Sequence, residues 1–205
     1  MPMDRGRFAR TIGALSLGAL TWRCSAPPPP AAALLGDMKA VVSVKELMQN
    51  LIDPLSDNIF EAVSTDVTAK GIVETAPRTD EDWAKVEMGA VALAEGVNLL
   101  EIPRPFAPPG DLNNSGGPNA PELSPDAIKA KVDKNRALWN HHIDDLRAVA
   151  VETMAIVKRK DASALLDVGD KLDKACENCH LEYWYPGDKK ALENARRNAA
   201  MTSRP

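Results

Sequence analysis

The sequence predicts an all-α protein folded as an antiparallel four-helix bundle. In four segments, apolar residues recur at steps of three and four, which is the spacing of one helix face. Aromatic residues make up only 4% of the 205-residue chain, and alanine is abundant, which favours helix over β-sandwich. The length is enough for one domain and a leader. We assign residues 1–36 to a leader, 37–188 to the bundle and 189–205 to a C-terminal tail.

The first helix is predicted from about Ser43 to Val63. Ser43 and Glu46 have the spacing of a capping box. Pro54 removes one backbone hydrogen bond, so we expect a kink there. A fresh helix capped by Asp53 is the alternative, and it is less favoured because the apolar stripe keeps its phase through the proline. The stripe consists of Val44, Met48, Leu51, Leu55, Ile59 and Ala62.

The second helix is predicted from about Asp80 to Glu101, with Thr79 as its N-cap. Polar and helix-breaking residues such as Thr65, Gly71 and Pro77 indicate a loop before it. Its buried seam is expected to be Trp83, Val86, Ala90, Leu93, Val97 and Leu100. A long connection rich in Pro, Gly and Asn follows and cannot be regular structure. A connection of this length in a compact domain usually has a function or covers a face.

The third helix is predicted to start with Ser124 as cap and Pro125 in the first turn, and to run to about Lys160. Its apolar side consists of Ile128, Val132, Trp139, Ile143, Leu146, Ala150, Met154 and Val157. Asp161 is expected to cap the fourth helix, which the sequence Tyr-Pro-Gly-Asp at 185–188 ends. Its stripe consists of Leu165, Val168, Leu172, Cys176 and Cys179.

Near the end of the fourth helix lies the motif Cys176-Glu-Asn-Cys179-His180. Two cysteines two residues apart, followed by histidine, form the attachment pattern of c-type haem. We therefore predict one covalent haem c, with Cys176 and Cys179 as its thioethers and His180 as the proximal axial ligand of the iron. A zinc site would need four ligands. Besides the motif, only His141 and His142 are available as nitrogen or sulfur ligands. Histidines in such positions are more typical of a protein surface or core than of a metal site.

Four amphipathic helices, one long connection and the CxxCH motif on the last helix resemble the class II cytochromes c, the family of cytochrome c′ and its low-spin relatives. The resemblance covers about residues 38–186. It includes Tyr183, three places after His180, where the family often has an aromatic residue. It departs at Trp184, where the family commonly has Arg or Lys. The resemblance also implies that the protein could form a homodimer through its first two helices.

The resemblance implies two functions that differ in the ligand opposite His180. Low-spin members use a methionine from the first helix and transfer electrons, whereas high-spin members leave this position vacant and bind NO or CO. In an up-down-up-down bundle, His180 lies roughly 6 Å from its helix end and Met48 roughly 7.5 Å from its helix start. We therefore predict Met48 as the candidate distal ligand, ahead of Met38, Met88 and Met154. Plain core packing of Met48 is the alternative.

The first 36 residues are typical of an export signal followed by a Pro-rich leader. A basic start is followed by the apolar stretch TIGALSLGAL, which is too short to span a bilayer. Lipoprotein anchoring through Cys24 is disfavoured, because Arg23 stands where a small residue is expected. The prediction is therefore a periplasmic protein without a membrane span.

The formal net charge is −4. The leader, with four arginines against one aspartate, contributes +3, which leaves −7 for the remainder. A chain this acidic has no general affinity for nucleic acid. The basic tail at 189–205 is expected to be a solvated short helix, with a docking patch as the alternative.

The predicted function is that of an exported monohaem c-type cytochrome, which transfers single electrons to and from a redox partner protein. No acid–base pair or nucleophile indicates an enzyme. Two alternatives stay open at this point. One is a high-spin protein that binds NO or CO at a vacant distal site. The other is a structural bundle without haem, in which the CxxC pair is a dithiol or part of a zinc clip.

Overall fold

The computed structural model describes residues 38–113 and 121–188. The predicted leader with Cys24, the basic tail and the middle of the long connection lie outside the described residues. In chain order the elements are α1 (Val44–Leu47), a π-helical turn (Met48–Ile52), α2 (Asp53–Phe60), β1 (Ser64–Thr68), β2 (Gly71–Thr75), α3 (Asp80–Gly96), a 3₁₀ turn (Val97–Glu101), α4 (Pro125–Lys134), α5 (Arg136–Arg159) and α6 (Ala162–Tyr183). Within the described ranges, no helix is both long enough and apolar enough to cross a membrane.

The prediction of a purely all-α four-helix bundle is wrong, because β1 and β2 form an antiparallel hairpin where the sequence indicated a loop. Ser64 pairs with Thr75, and the register continues to the pair Thr68 and Gly71. Gly71 has a φ of +117°, a conformation that L side chains rarely adopt. β-branched residues on both sides of this glycine favour extended backbone. They are Thr65, Val67, Thr68, Ile72, Val73 and Thr75.

The start of the first helical segment confirms the predicted capping box. The Ser43 hydroxyl accepts a hydrogen bond from the Glu46 amide at 3.2 Å, and the Glu46 carboxylate accepts one from the Ser43 amide at 2.9 Å. The chain then stays helical through Pro54. Asp53 does not cap a fresh helix, since its own backbone is right-handed helical and its amide donates to the Met48 carbonyl.

The π-helical turn changes which side of this segment is buried, and here the prediction of an unbroken stripe is wrong. The buried positions are Val44, Leu47, Ile52, Ser56 and Ile59, with a step of five residues from 47 to 52. Leu51 and Leu55, expected in the core, are only partly buried. Pro54 has no amide proton to donate, and a wider turn is one way for a helix to accommodate the missing hydrogen bond.

The other three predicted caps are confirmed, but the predicted third helix is divided in two. The side chains of Thr79, Ser124 and Asp161 each accept a hydrogen bond from the first turn of their helices. At Asn135 the backbone leaves the helical region, with φ −145° and ψ 71°, and its side chain accepts from the Leu138 amide at 3.1 Å. Asparagine competes with the helix for backbone partners, so it ends α4 and caps α5.

The core lies where α5 packs on α3 and on α6, and where α2 packs on the same two helices. All predicted seam positions of the second helix are buried: Trp83, Val86, Ala90, Leu93, Val97 and Leu100. Each large side chain of this kind stabilises the fold by about 1.5–3 kcal/mol. Gly89 allows α2 to approach α3 closely, because a Cβ there would lie 2.9 Å from the Asn58 Cβ.

The described part of the long connection lies across the start of α1. The Val44 and Lys45 amides donate to the carbonyls of Pro105 and Phe106 at 2.9 and 3.1 Å. These amides belong to the first turn of a helix, where a backbone N–H group has no carbonyl acceptor within the helix. The Leu123 amide donates to the Trp184 carbonyl at 2.9 Å. The connection therefore links the start of the first helical segment to the end of α6.

Candidate functional site

A cavity opens at this junction, between the first helical segment, α5 and the end of α6. Its volume is about 190 Å³, counted as the space that water-sized molecules can occupy. Small-molecule sites usually measure roughly 300–1,000 Å³. Most of its wall is apolar, formed by Val44, Leu100, Trp139, Ile143, Leu146 and Ala175. The wall of the cavity is therefore suited to a largely apolar group, whereas its volume is below that range.

The four residues predicted as ligands or attachment points all line this one cavity. Cys176, Cys179 and His180 occupy positions i, i+3 and i+4 of α6, which lie on one side of a helix. Met48 opens the π-helical turn and reaches the cavity from the first helical segment. The structure therefore brings together residues that are far apart in sequence, and ligation of iron by Met48 stays a prediction.

The other methionines considered from the sequence lie elsewhere. Met38 and Met88 are more than half exposed. Met154 packs against the hydrophobic core and does not line the cavity. Among the methionines of the described chain, only Met48 faces the thiols and the histidine across this space.

Both thiols of the motif are free and half-buried. Burial raises the pKa of Cys176 to about 12, with a further contribution from Asp53. Burial also raises the pKa of Cys179 to about 12, and its neighbour Cys176 adds to the effect. The two sulfur atoms are therefore neutral thiols near neutral pH.

The His180 ring lies among aromatic side chains at the end of α6. Its centroid is 6.4 Å from that of Trp184 and 6.4 Å from that of Tyr185, both in edge-on arrangements. Burial lowers the pKa of His180, while Asp53 acts in the opposite direction. A neutral imidazole is the form that can ligate a metal, so the surroundings favour the ligating state.

The cavity also holds polar groups that the sequence analysis did not assign to a site. The His142 Nδ1 and the Glu122 Oε2 are buried and have no hydrogen-bond partner. The Tyr185 hydroxyl donates to the other carboxylate oxygen of Glu122 at 3.5 Å. One sequence signal could have indicated His142. If two antiparallel helices are joined at Lys160, positions 142 and 180 lie 18 and 20 residues from the turn. His142 and His180 are then expected at nearly the same level of the helix pair.

The donor set fits a haem. Two neutral thiols three residues apart can form two thioethers, the neutral His180 can ligate iron, and apolar walls can contact the porphyrin faces. A zinc clip finds less support. In residues 38–113 and 121–188, no three or more His, Cys, Asp or Glu side chains are grouped so that they could hold a metal ion, and structural zinc sites use four ligands.

Comparison with known proteins gives no family assignment. No protein-family model matches the chain, and neither a curated protein nor a solved structure matches it. The resemblance to class II cytochromes c therefore stays a prediction. A proposal for the function has to be based on the residues around the cavity.

Proposed function

We propose that this chain is an exported monohaem c-type cytochrome that transfers single electrons between protein partners. One observation carries the proposal. The two thiols and the imidazole of the CxxCH motif line the same cavity as Met48, which comes from the other end of the chain. A motif match alone could be accidental. A cavity that places a methionine thioether and apolar walls beside the motif supports the haem interpretation over an accidental match.

Each residue of the site has a separate role in this proposal. Cys176 and Cys179 would hold a haem through two thioether bonds, because each S–H group can add to a vinyl group of the porphyrin without a leaving group. His180 would hold the iron through its imidazole nitrogen, and Met48 would offer its thioether as a second ligand. When bound, the haem supplies an iron that cycles between ferric and ferrous states. The apolar side chains exclude water, and a thioether opposite imidazole raises the reduction potential.

The dithiol alternative fits the electrostatics of the site less well. Cysteines that exchange disulfides or act as nucleophiles have a lowered pKa, roughly 3.5–7.5. Here burial raises the pKa of both Cys176 and Cys179 to about 12, so little thiolate forms at neutral pH. The thioredoxin type of site also needs a βαβ unit. The strands of the described chain form only an antiparallel hairpin.

The proposal is tested by producing the chain together with c-type haem maturation machinery and measuring its intact mass and absorption spectrum. We expect the mass of one haem on the fragment that contains both motif cysteines, together with a Soret band. The double variant Cys176→Ala and Cys179→Ala should lose both. Cys24→Ala is the matched control and should keep both if Cys24 has no part in attachment. A matured protein without haem on that fragment would contradict the proposal.

A further inference from the structure

His142 is a titratable side chain of the cavity that the proposed function leaves without a role. Its Nδ1 is buried without a hydrogen-bond partner, and its ring stands edge-on to Tyr183 with centroids 5.9 Å apart. The neighbouring His141 differs sharply, because its side chain is 66% exposed and lies 3.6 Å from Asp145. Two adjacent histidines on one helix thus face different surroundings.

The charged groups around His142 do not cancel the effect of its burial. On α5 it is close to Asp145 and His141, and on α6 it faces Glu182. Glu182 is itself paired with Lys131 of α4 at 2.9 Å. Burial lowers the pKa of His142, and the two carboxylates oppose this only in part. The imidazole is therefore held in its neutral form before any charge changes in the cavity.

The cavity contains further groups whose charge affects the protonation of His142. Besides the two cysteines, the titratable side chains that line it are Lys45, Asp53, Glu122, His180 and Tyr185. Desolvation raises the pKa of Asp53, and His180 opposes it. Adding one electron to a cofactor in this space adds one negative charge at low dielectric. A nearby imidazole is then stabilised as the cation, since an opposite charge favours the protonated form.

We propose that His142 takes up one proton from solvent when the bound haem is reduced by one electron, and releases it when the haem is oxidised again. The electron comes from a one-electron donor protein and reduces Fe(III) to Fe(II). The proton adds to the imidazole, and no other bond forms or breaks. This inference rests on the proposed function. It makes the protein a carrier of one electron together with one proton.

The test is the reduction potential of the holoprotein measured as a function of pH. Coupling to one proton gives a slope of about 59 mV per pH unit, the one-electron equivalent of a tenfold change in concentration. We expect this slope in the wild type over the range in which His142 titrates. His142→Gln should flatten it and keep the axial ligands, so the absorption spectrum should not change. His141→Gln is the matched control and should keep the slope.

A second measurement does not depend on any variant. Reduction of the wild-type holoprotein in weakly buffered solution should consume close to one proton per electron, read with a pH indicator. A potential independent of pH, a slope that survives in His142→Gln, or proton uptake near zero would each overturn the inference. So would a change of spin state in His142→Gln, because it would make His142 an iron ligand. In all these outcomes the protein still carries haem, so they differ from failure of the proposed function.

Discussion

The cavity and the β-hairpin lie near opposite ends of α6 and differ in what their side chains contact. The cavity is at the end of α6, and the base of the hairpin is beside its first residues, Ala162 and Ser163. At a rise of 1.5 Å per residue, the stretch of α6 from Ala162 and Ser163 to the motif at 176–180 separates them by roughly 20–27 Å. The hairpin has Val67 and Ile72 largely exposed, at 85% and 69%. In the cavity, by contrast, burial raises the pKa of the two cysteine thiols and lowers the pKa of His142 and His180.

The two regions also differ in the contacts that hold them together. The hairpin depends on local pairing: the Thr68 hydroxyl donates to the Gly71 carbonyl and accepts from the Lys70 amide. The cavity depends on contacts between residues distant in sequence, such as the Trp139 indole that donates to the Leu100 carbonyl at 3.1 Å. Changes at the cavity should therefore alter the spectrum or the reduction potential of the holoprotein, whereas changes at the hairpin should alter neither by much.

The largest expected effect is that of Met48→Leu on the holoprotein. If Met48 ligates the iron, the low-spin spectrum becomes high-spin, the methionine-to-iron charge-transfer band disappears and the reduction potential falls. Stability should change little, because the substitution conserves volume. Met154→Leu is the control and should keep the spectrum, since Met154 packs in the core away from the cavity.

Two outcomes would contradict the role of Met48. An unchanged spectrum in Met48→Leu would exclude it as a ligand. A wild-type spectrum that is already high-spin and shifts with NO or CO would favour the gas-binding alternative over electron transfer.

An effect of intermediate size is expected from the same substitution made in the two regions. Ile52, in the π-helical turn, is fully buried, whereas Ile72 in the hairpin is 69% exposed. Ile52→Ala should lower the free energy of unfolding by about 2–5 kcal/mol, because it leaves a cavity. Ile72→Ala should lower it by less than about 1 kcal/mol. Urea unfolding of both holoprotein variants measures the difference, and equal losses would contradict the assignment of the core.

The smallest effect is expected in the pH dependence of the capping box at the start of α1. Hydrogen bonds from Ser43 lower the pKa of Glu46. A lowered pKa in the folded state means that the contribution is complete above the unfolded pKa and is lost as the pH falls through the folded value. Glu46→Gln should therefore make the unfolding free energy less sensitive to pH between about pH 6 and pH 3.

Glu74→Gln in the hairpin is the control for this prediction. Glu74 is an exposed carboxylate opposite Thr65 in the register of the strands. Its substitution changes no helix cap, so the free energy of unfolding at neutral pH should change little. A steeper dependence in Glu46→Gln than in the wild type would contradict the capping role.

Local patterns in the sequence were sufficient to predict the helix starts and to locate the CxxCH motif. Ser43, Thr79, Ser124 and Asp161 cap through bonds within three residues, so no knowledge of the fold is required. The spacing of the CxxCH motif is equally local. These features could therefore be predicted without a structure.

The features that were missed depend on competition between nearby alternatives or on tertiary packing. Asn135 can sit in a helix or cap one, and its side chain here prefers the amide of Leu138. The π-helical turn moves the buried face from Leu51 to Ile52, which no periodic pattern reveals. Glu122 and His142 reach the cavity only because the connection and α5 are placed beside α6.

The π-helical turn gives the first helical segment an adjustable register. Deleting one residue between Met48 and Ile52 would convert the wide turn into ordinary α-helix and rotate everything before it by about 100°. The thioether of Met48 would then swing away from the thiols and the imidazole, while α3, α5 and α6 keep their packing. The position of Met48 relative to the motif thus depends on the length of the chain as well as on the identity of a side chain.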